Sequence, residues 1–171
     1  MKLIMSDRPL DIILQPKEDI RYFDVSSLKI ANCMGCFGCW TKTPGRCVIR
    51  DEATQIYPCI AQSDAVLYVS RLAYGGYDIP MKTMLERAIP VQQAFIRIHQ
   101  GETHHVQRDV KLKQATIIAY GDTDDEERDI FRQLVARNAC NMSFARHEII
   151  FTTEDMVNDT VKKTLEKWEK Y

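Results

Sequence analysis

What is missing from this chain narrows it first. It has no long apolar run: the opening MKLIMSDRPL offers three consecutive apolar residues before Asp7. That is too few for the core of an export signal and far too few for a membrane span. It has no excess of charge, with 23 Lys and Arg against 24 Asp and Glu and a formal net charge of −1. The basic footprint of a nucleic-acid binder is therefore absent. No repeat or low-complexity linker interrupts it, and no spacing suggests a serine–histidine–acid set or a carboxylate pair, so hydrolysis has no visible machinery. The expectation is a cytoplasmic protein with neither a membrane nor a nucleic acid as partner. Its 171 residues, 45% hydrophobic and 27% charged, have the composition of a globular chain and the length of one domain, spanning 1–171, with a sizeable core.

What is present alternates. Lys2–Met5, Ile20–Val25 (IRYFDV), Ala65–Ser70 (AVLYVS), Ala115–Tyr120 (ATIIAY) and Glu148–Thr152 (EIIFT) read as strands. AVLYVS is almost wholly apolar, as a parallel strand covered on both faces must be. Helices are expected over Asp51–Gln62, where Pro58 removes a hydrogen bond and bends the axis, and over Pro80–Ile89, which stops before Pro90. A third is expected over Asp124–Ala139, with Thr123 and Glu126 as a capping box and Ile130, Phe131, Leu134 and Val135 as an apolar stripe. The last, Glu154–Glu169, carries Val157, Val161, Leu165 and Trp168 on one face. This alternation implies an α/β fold, a doubly wound parallel sheet of five strands. Residues 91–114, with His99, His104 and His105, lack a period and read as a helix extension and a long loop. There His104 and His105 are expected to be exposed.

Six cysteines remain, and without an export signal they are expected to be reduced. Cys59 and Cys140 fall inside helical patterns and read as small buried apolar residues. The other four, Cys33, Cys36, Cys39 and Cys47, crowd into CMGCFGCWTKTPGRC with the spacing C-x2-C-x2-C-x7-C. Thiolates at that spacing can ligate an iron–sulfur cluster. Structural zinc, usually held by two separated C-x2-C knuckles, is a second reading, and a Cys36–Cys39 redox pair a third. Reduced thiols packed in a loop at a sheet edge and subunit contact are the fourth. Trp40 reads as an anchor for that loop.

In a doubly wound sheet, ligands sit beyond the C-terminal ends of the strands, where the strand order reverses. Two loops are expected there. One is Ser70-Arg-Leu-Ala-Tyr-Gly-Gly-Tyr-Asp78, whose paired glycines allow close approach of a flat ligand and whose Tyr74 and Tyr77 offer aromatic faces. The other is Gly121-Asp122-Thr123, just before a helix N-terminus. As local features, both are equally compatible with plain tight turns.

The runs CMGCFGCWTKTPGRCVIRDE and SDAVLYVSRLAYGGYDIPMKTMLER resemble the NADPH-dependent FMN reductase family of flavodoxin-like proteins, in its cysteine-bearing branch related to the iron–sulfur flavoproteins. The marks are the cysteine loop ending in Gly45-x-Cys47, then Asp51, Tyr74-Gly75-Gly76, Lys82 and Arg87. The resemblance implies an oxidoreductase that binds FMN, takes a hydride from NAD(P)H and passes electrons to an acceptor. By it, Ser70, Leu72, Tyr74, Gly75 and Gly76 lie beside the isoalloxazine ring, Gly121 and Asp122 on its other side, and Ser6 and Arg8 at the phosphate. Cys33, Cys36, Cys39 and Cys47 would ligate a 4Fe–4S cluster. Lys82 and Arg87 read as surface or structural ion pairs.

The chain also departs from that family. Met5-Ser6-Asp7-Arg8 runs directly into PLDIILQPKEDIRYF, so the first helix is shortened or missing, and Asp7 would repel a phosphate. Arg71 and Ala73 replace a Pro and an aromatic usual in relatives. An uncovered sheet face would need either the stub Pro9–Gln15 or a second subunit, so a homodimer or higher homo-oligomer is expected. Two other functions stay open: an iron–sulfur electron carrier, and a degenerate, cofactor-free oligomeric protein.

Overall fold

The structure, a computed structural model, describes residues 1–14 and 19–168. Gln15 and Glu169, the far ends of the expected stub and last helix, lie outside the described residues. Five parallel strands form the sheet: β1 (Lys2–Ser6), β2 (Ile20–Asp24), β3 (Ala65–Ala73), β7 (Lys113–Tyr120) and β8 (Phe144–Thr152). Their order is β2-β1-β3-β7-β8. This is the flavodoxin-like order, in which the sheet reverses direction between β1 and β3. The short β4 (Gly76–Tyr77) folds back antiparallel on the end of β3.

The central strands β1, β3 and β7 carry two apolar faces, and the helices follow from that. On one face Leu3, Met5, Val66, Tyr68, Ala115 and Ile117 pack with α2 (Ala53–Gln62), α3 (Ile79–Glu86) and α4 (Asp125–Met142) through Ile56, Ile60, Met81, Met84, Phe131 and Val135. The alternate residues Ile4, Leu67, Val69 and Ile118 meet α5 (Val157–Trp168) through Val157, Val161, Leu165 and Trp168. Among the described residues no helix follows β1. Leu10, Ile12 and Leu14 of the stub instead lie against this second face in a non-helical run. The stub thus covers part of this face, as one of the two expected ways had it.

Three expectations are corrected. Residues 91–114 hold neither a helix extension nor a long loop: after a single 3₁₀ turn at Ile89–Val91 they form an antiparallel hairpin, β5 (Gln92–His99) and β6 (Glu102–Gln107). Its two-residue turn is Gln100-Gly101, both at positive φ, the pairing that matches strand twist. Most of β5 is exposed, so the alternation that one buried face would impose is missing. Second, α4 starts one residue later than its expected cap: the Asp124 carboxylate, not Thr123, accepts from the Glu127 amide at 2.8 Å. With that start, Phe131, Val135, Ala139 and Met142 are buried, while Ile130 and Leu134 stand partly exposed. Third, His104 is buried rather than exposed, its ring nitrogens 3.1 Å from Asn141 Oδ1 and 3.0 Å from Glu102 Oε2.

Candidate functional site

Two sites emerge. The first is the cysteine loop. Gly35 and Phe37 adopt positive φ, and they lead into a four-residue helical turn, α1 (Gly38–Thr41), that carries Cys39. Gly38 is buried so tightly that an added Cβ would come within 2.7 Å of Val48. Trp40 anchors the turn, as its place suggested: its indole donates to the Gln92 carbonyl at 3.0 Å and its ring packs on Phe37 and His105. Cys33, Cys36, Cys39 and Cys47 all line one small cavity of about 140 Å³, otherwise walled mainly by Met34, Phe37, Trp40, Val48, Ile49 and Pro90. All six thiols of the chain are free. Burial pushes the Cys39 thiol up, and the sulfurs of Cys47, Cys33 and Cys36 push it further.

Arg87, at the C-terminal end of α3, holds this loop. It is fully buried, and its guanidinium donates to both Asp51 oxygens, at 2.7 and 2.9 Å, and to the Ala31 carbonyl at 2.7 Å. It also reaches the Ile49 carbonyl and Cys47 Sγ, both at 3.4 Å. Asp51 in turn accepts from the amides of Ala31 and Ala53. Burial opposes ionisation there, but the Arg87 guanidinium and these amides hold the Asp51 carboxyl below the usual range. A fork-to-fork pair fixes direction as well as distance, so the walls before and after the cysteines are tied to one guanidinium. The neighbouring Lys82 only pairs with Glu86 on the surface of α3.

Among the described residues no three His, Cys, Asp or Glu side chains converge closely enough to hold one metal ion. Zinc needs its four sulfurs about 2.3 Å from a single point, whereas each thiolate of a cubane cluster binds its own iron and the sulfurs stand further apart. Four thiols around a shared cavity, beside a buried guanidinium whose Nε lacks a partner among the described residues, fit a cluster better than a single ion.

The second site is the crevice where the sheet reverses, between the ends of β1 and β3. The structure brings Ser6, Ser70 and Gly121 to this end, and fills it. Asp7, nine-tenths buried, turns its carboxylate inward. One oxygen accepts from Ser70 Oγ at 2.8 Å and the Arg71 amide at 2.7 Å; the other accepts from the Tyr120 hydroxyl at 2.8 Å. Burial pushes the Asp7 carboxyl up, the three donors pull it back, and Asp78 adds a further push; the net direction is upward. Burial and Asp7 together raise the Tyr120 phenol, which keeps its proton. Ser6 is fully buried and accepts from the Arg8 amide at 3.3 Å. The Arg8 guanidinium is turned to Glu154, 3.3 Å away, over the Tyr120 ring.

The remaining expected residues surround this end. Leu72 is buried in the core, whereas Asp122 is exposed. Tyr74 and Gly75 form the two-residue turn between β3 and β4, both at positive φ. The Tyr74 side chain stands 97% exposed, open to a flat partner. Gly75 presses on α4: a Cβ there would lie 2.6 Å from Ile130 Cγ2. Gly121, at φ 124°, donates to the Thr152 carbonyl at 3.4 Å.

With this geometry in view, the likenesses to known proteins can be read. No family model matches the chain. Over 89 residues, half of the chain, it is 33% identical to an iron–sulfur flavoprotein of Archaeoglobus fulgidus, covering 40% of that protein. Over 78 residues it is 28% identical to an iron–sulfur flavoprotein of Methanocaldococcus jannaschii, covering 46% of this chain and 39% of the relative. The matches thus span less than half the length of these relatives. Among solved structures, an azoreductase from Bacillus anthracis superposes with a TM-score of 0.60 at 11% identity, over 97% of this chain and 95% of the other. An FMN-dependent NADH-azoreductase of the same species, solved with FMN, gives 0.59 at 12% identity over the same shares.

The chain has a flavodoxin-like fold, and about half of it is similar in sequence to iron–sulfur flavoproteins. For a flavodoxin-like protein the crevice between β1 and β3 is where FMN is expected, and here only one side of it fits. The Tyr74 and Gly76 edge is accessible to a ring. The phosphate side is not: a dianion needs several donors or cations. Ser70 Oγ and the Arg71 amide are taken by Asp7, and the Arg8 guanidinium is paired with Glu154, which leaves the buried Ser6 hydroxyl as too little for a dianion. Asp7 was legible as a residue unfriendly to phosphate; that it occupies the crevice was not. Arg87 was expected to make an ion pair, but nothing in its helix shows that it organises the cysteine loop.

Proposed function

We propose that this protein is a flavin-linked NAD(P)H oxidoreductase that passes electrons to an acceptor by way of its cysteine loop. The observation that carries this is the single cavity lined by all four loop cysteines and clamped by Arg87 and Asp51. The names of the iron–sulfur flavoprotein relatives and of the FMN-dependent structural neighbour support it. When bound, a flavin accepts the nicotinamide hydride and releases electrons singly, and a cluster stores one electron at a time. Cys33, Cys36, Cys39 and Cys47 would hold a 4Fe–4S cluster, with Arg87 setting a positive charge beside Cys47. Exposed Tyr74 and the Gly76 backbone would meet the flavin ring. FMN is the flavin that the family resemblance implies, but the donors at the end of β1 do not fit its phosphate.

That misfit favours a second reading, an iron–sulfur electron carrier without a resident flavin. Purification without oxygen, followed by assay of iron, sulfide and flavin, separates the two. Iron near four per chain, the cubane stoichiometry, together with NAD(P)H-dependent reduction on adding flavin supports the first reading. Iron without any response to flavin supports the second. Protein that holds no iron after anaerobic reconstitution would sink both. The reading places the protein in the reducing cytoplasm as a homodimer or higher homo-oligomer. The exposed Phe95, Ile96 and Ile98 of β5 are apolar surface that supports association; light scattering at micromolar concentration tests it. Among the described residues no helix is long and apolar enough to cross a membrane.

A further inference from the structure

We propose that Asp7 is a built-in anion that seals the phosphate end of the β1–β3 crevice, so that the site selects a neutral, unphosphorylated flavin of the riboflavin class over FMN. This rests on the reading of the crevice as a flavin site.

Three observations carry it. First, the Asp7 carboxylate is held as a bound anion would be: it is buried and accepts one backbone amide and two buried hydroxyls, from Arg71, Ser70 and Tyr120. A phosphate placed there would have to displace it from all three. Second, the cation within reach is committed. Arg8 lies over the Tyr120 ring and pairs with Glu154 through its carboxylate and its carbonyl. The Arg71 side chain passes beside Gly121, its Cγ 3.6 Å from where a Cβ there would lie. Asp78, whose amide lies 3.4 Å from Ser70 Oγ, adds negative charge on the third side. Third, no helix follows β1 among the described residues, so β1 does not lead into a helix N-terminus whose amides could hold a phosphate. A phosphate brought to this end meets a buried carboxylate at close range, where like charges repel far more strongly than in water. A ribityl chain ending in a hydroxyl carries no such charge and can donate to the carboxylate.

The test is a comparison of riboflavin and FMN binding by flavin fluorescence quenching, for the full chain and for Asp7→Asn. The amide is nearly isosteric and can still accept from Ser70 and Arg71, while the Tyr120 hydroxyl can turn to accept from it. The expected result is that wild type binds riboflavin at least tenfold more tightly than FMN. In Asp7→Asn the FMN affinity should rise about tenfold or more with riboflavin little changed. Wild-type protein that prefers FMN overturns the proposal, and this arm needs no variant. An unchanged preference in Asp7→Asn, or no binding of either flavin to wild type and variant alike, overturns it too. Iron and sulfide content, read on the same samples, reports on the cysteine loop independently. A failed flavin preference with intact iron therefore rejects this inference and leaves the electron-transfer reading standing.

Discussion

The cysteine loop and the β1–β3 crevice lie on one scaffold but are finished in opposite ways. In the loop, a buried guanidinium spends its hydrogen bonds on the surrounding chain and leaves four thiols around an open space. In the crevice, a buried carboxylate gathers the donors to itself. Both are buried charges satisfied by hydrogen bonds, as buried charges must be. The difference is whether the charge braces the wall of a site or fills it. One scaffold can thus use one buried charge as a brace and another as an occupant.

The comparison can be broken most severely at the loop. Cys39→Ser, which removes one of the two partly buried loop thiols, should abolish any iron that the loop holds; retained iron would reject Cys39 as a ligand. Arg87→Ala leaves the Asp51 carboxylate without its partner, and breaking a buried pair in this way costs about 3–5 kcal/mol. For a chain of this size that lowers the melting temperature by roughly 10 °C. A melt within a degree or two of wild type would mean that the clamp is ornamental.

At the crevice the effects are smaller. Gly75→Ala forces positive φ on a residue with a Cβ and drives that Cβ into Ile130, costing about 1–3 kcal/mol. Adding Ile130→Ala should recover part of the loss. No recovery in the double variant would show that the glycine is needed for something other than packing on α4. The smallest effect is a pH dependence. The folded Asp7 carboxyl lies above its ordinary value of 3.8, so the folded chain holds that proton to higher pH than the unfolded chain. Its stabilising contribution is present below about pH 4 and is lost as pH rises through the raised value. Asp7→Asn has no such proton, so its stability relative to wild type should improve from pH 4 to pH 7. Parallel melting curves for the two proteins at both pH values would contradict the assigned direction.

Much of the fold was legible because the strands are covered on both faces. AVLYVS and ATIIAY are apolar throughout for that reason, and their alternation with helical periods led to the parallel sheet. The hairpin at Gln92–Gln107 was not legible, because neither of its strands has the regular buried face that would impose a period of two; only Gly101 in a two-residue turn hinted at it. Strand ends were misjudged where pairing, not hydrophobicity, sets the length: β8 starts at Phe144, well before EIIFT, because its polar first half is hydrogen-bonded to β7. The four cysteines were visible as a set since they are local. Their clamp was not, because Arg87 lies 36 residues from Asp51.

By itself the sequence determined the layered α/β architecture, the grouping of four thiols and the shortness of the connection from β1 to β2. All three are local: apolar runs, short spacings and a segment too short to hold another element. Only the tertiary structure decided what became of the vacated space. It laid Leu10, Ile12 and Leu14 over the bare sheet face, and it joined Asp7 to Ser70 and Tyr120, 63 and 113 residues away. A buried carboxylate takes whatever donors the fold brings within reach, and which donors those are is settled by strand order, to which sequence distance is blind.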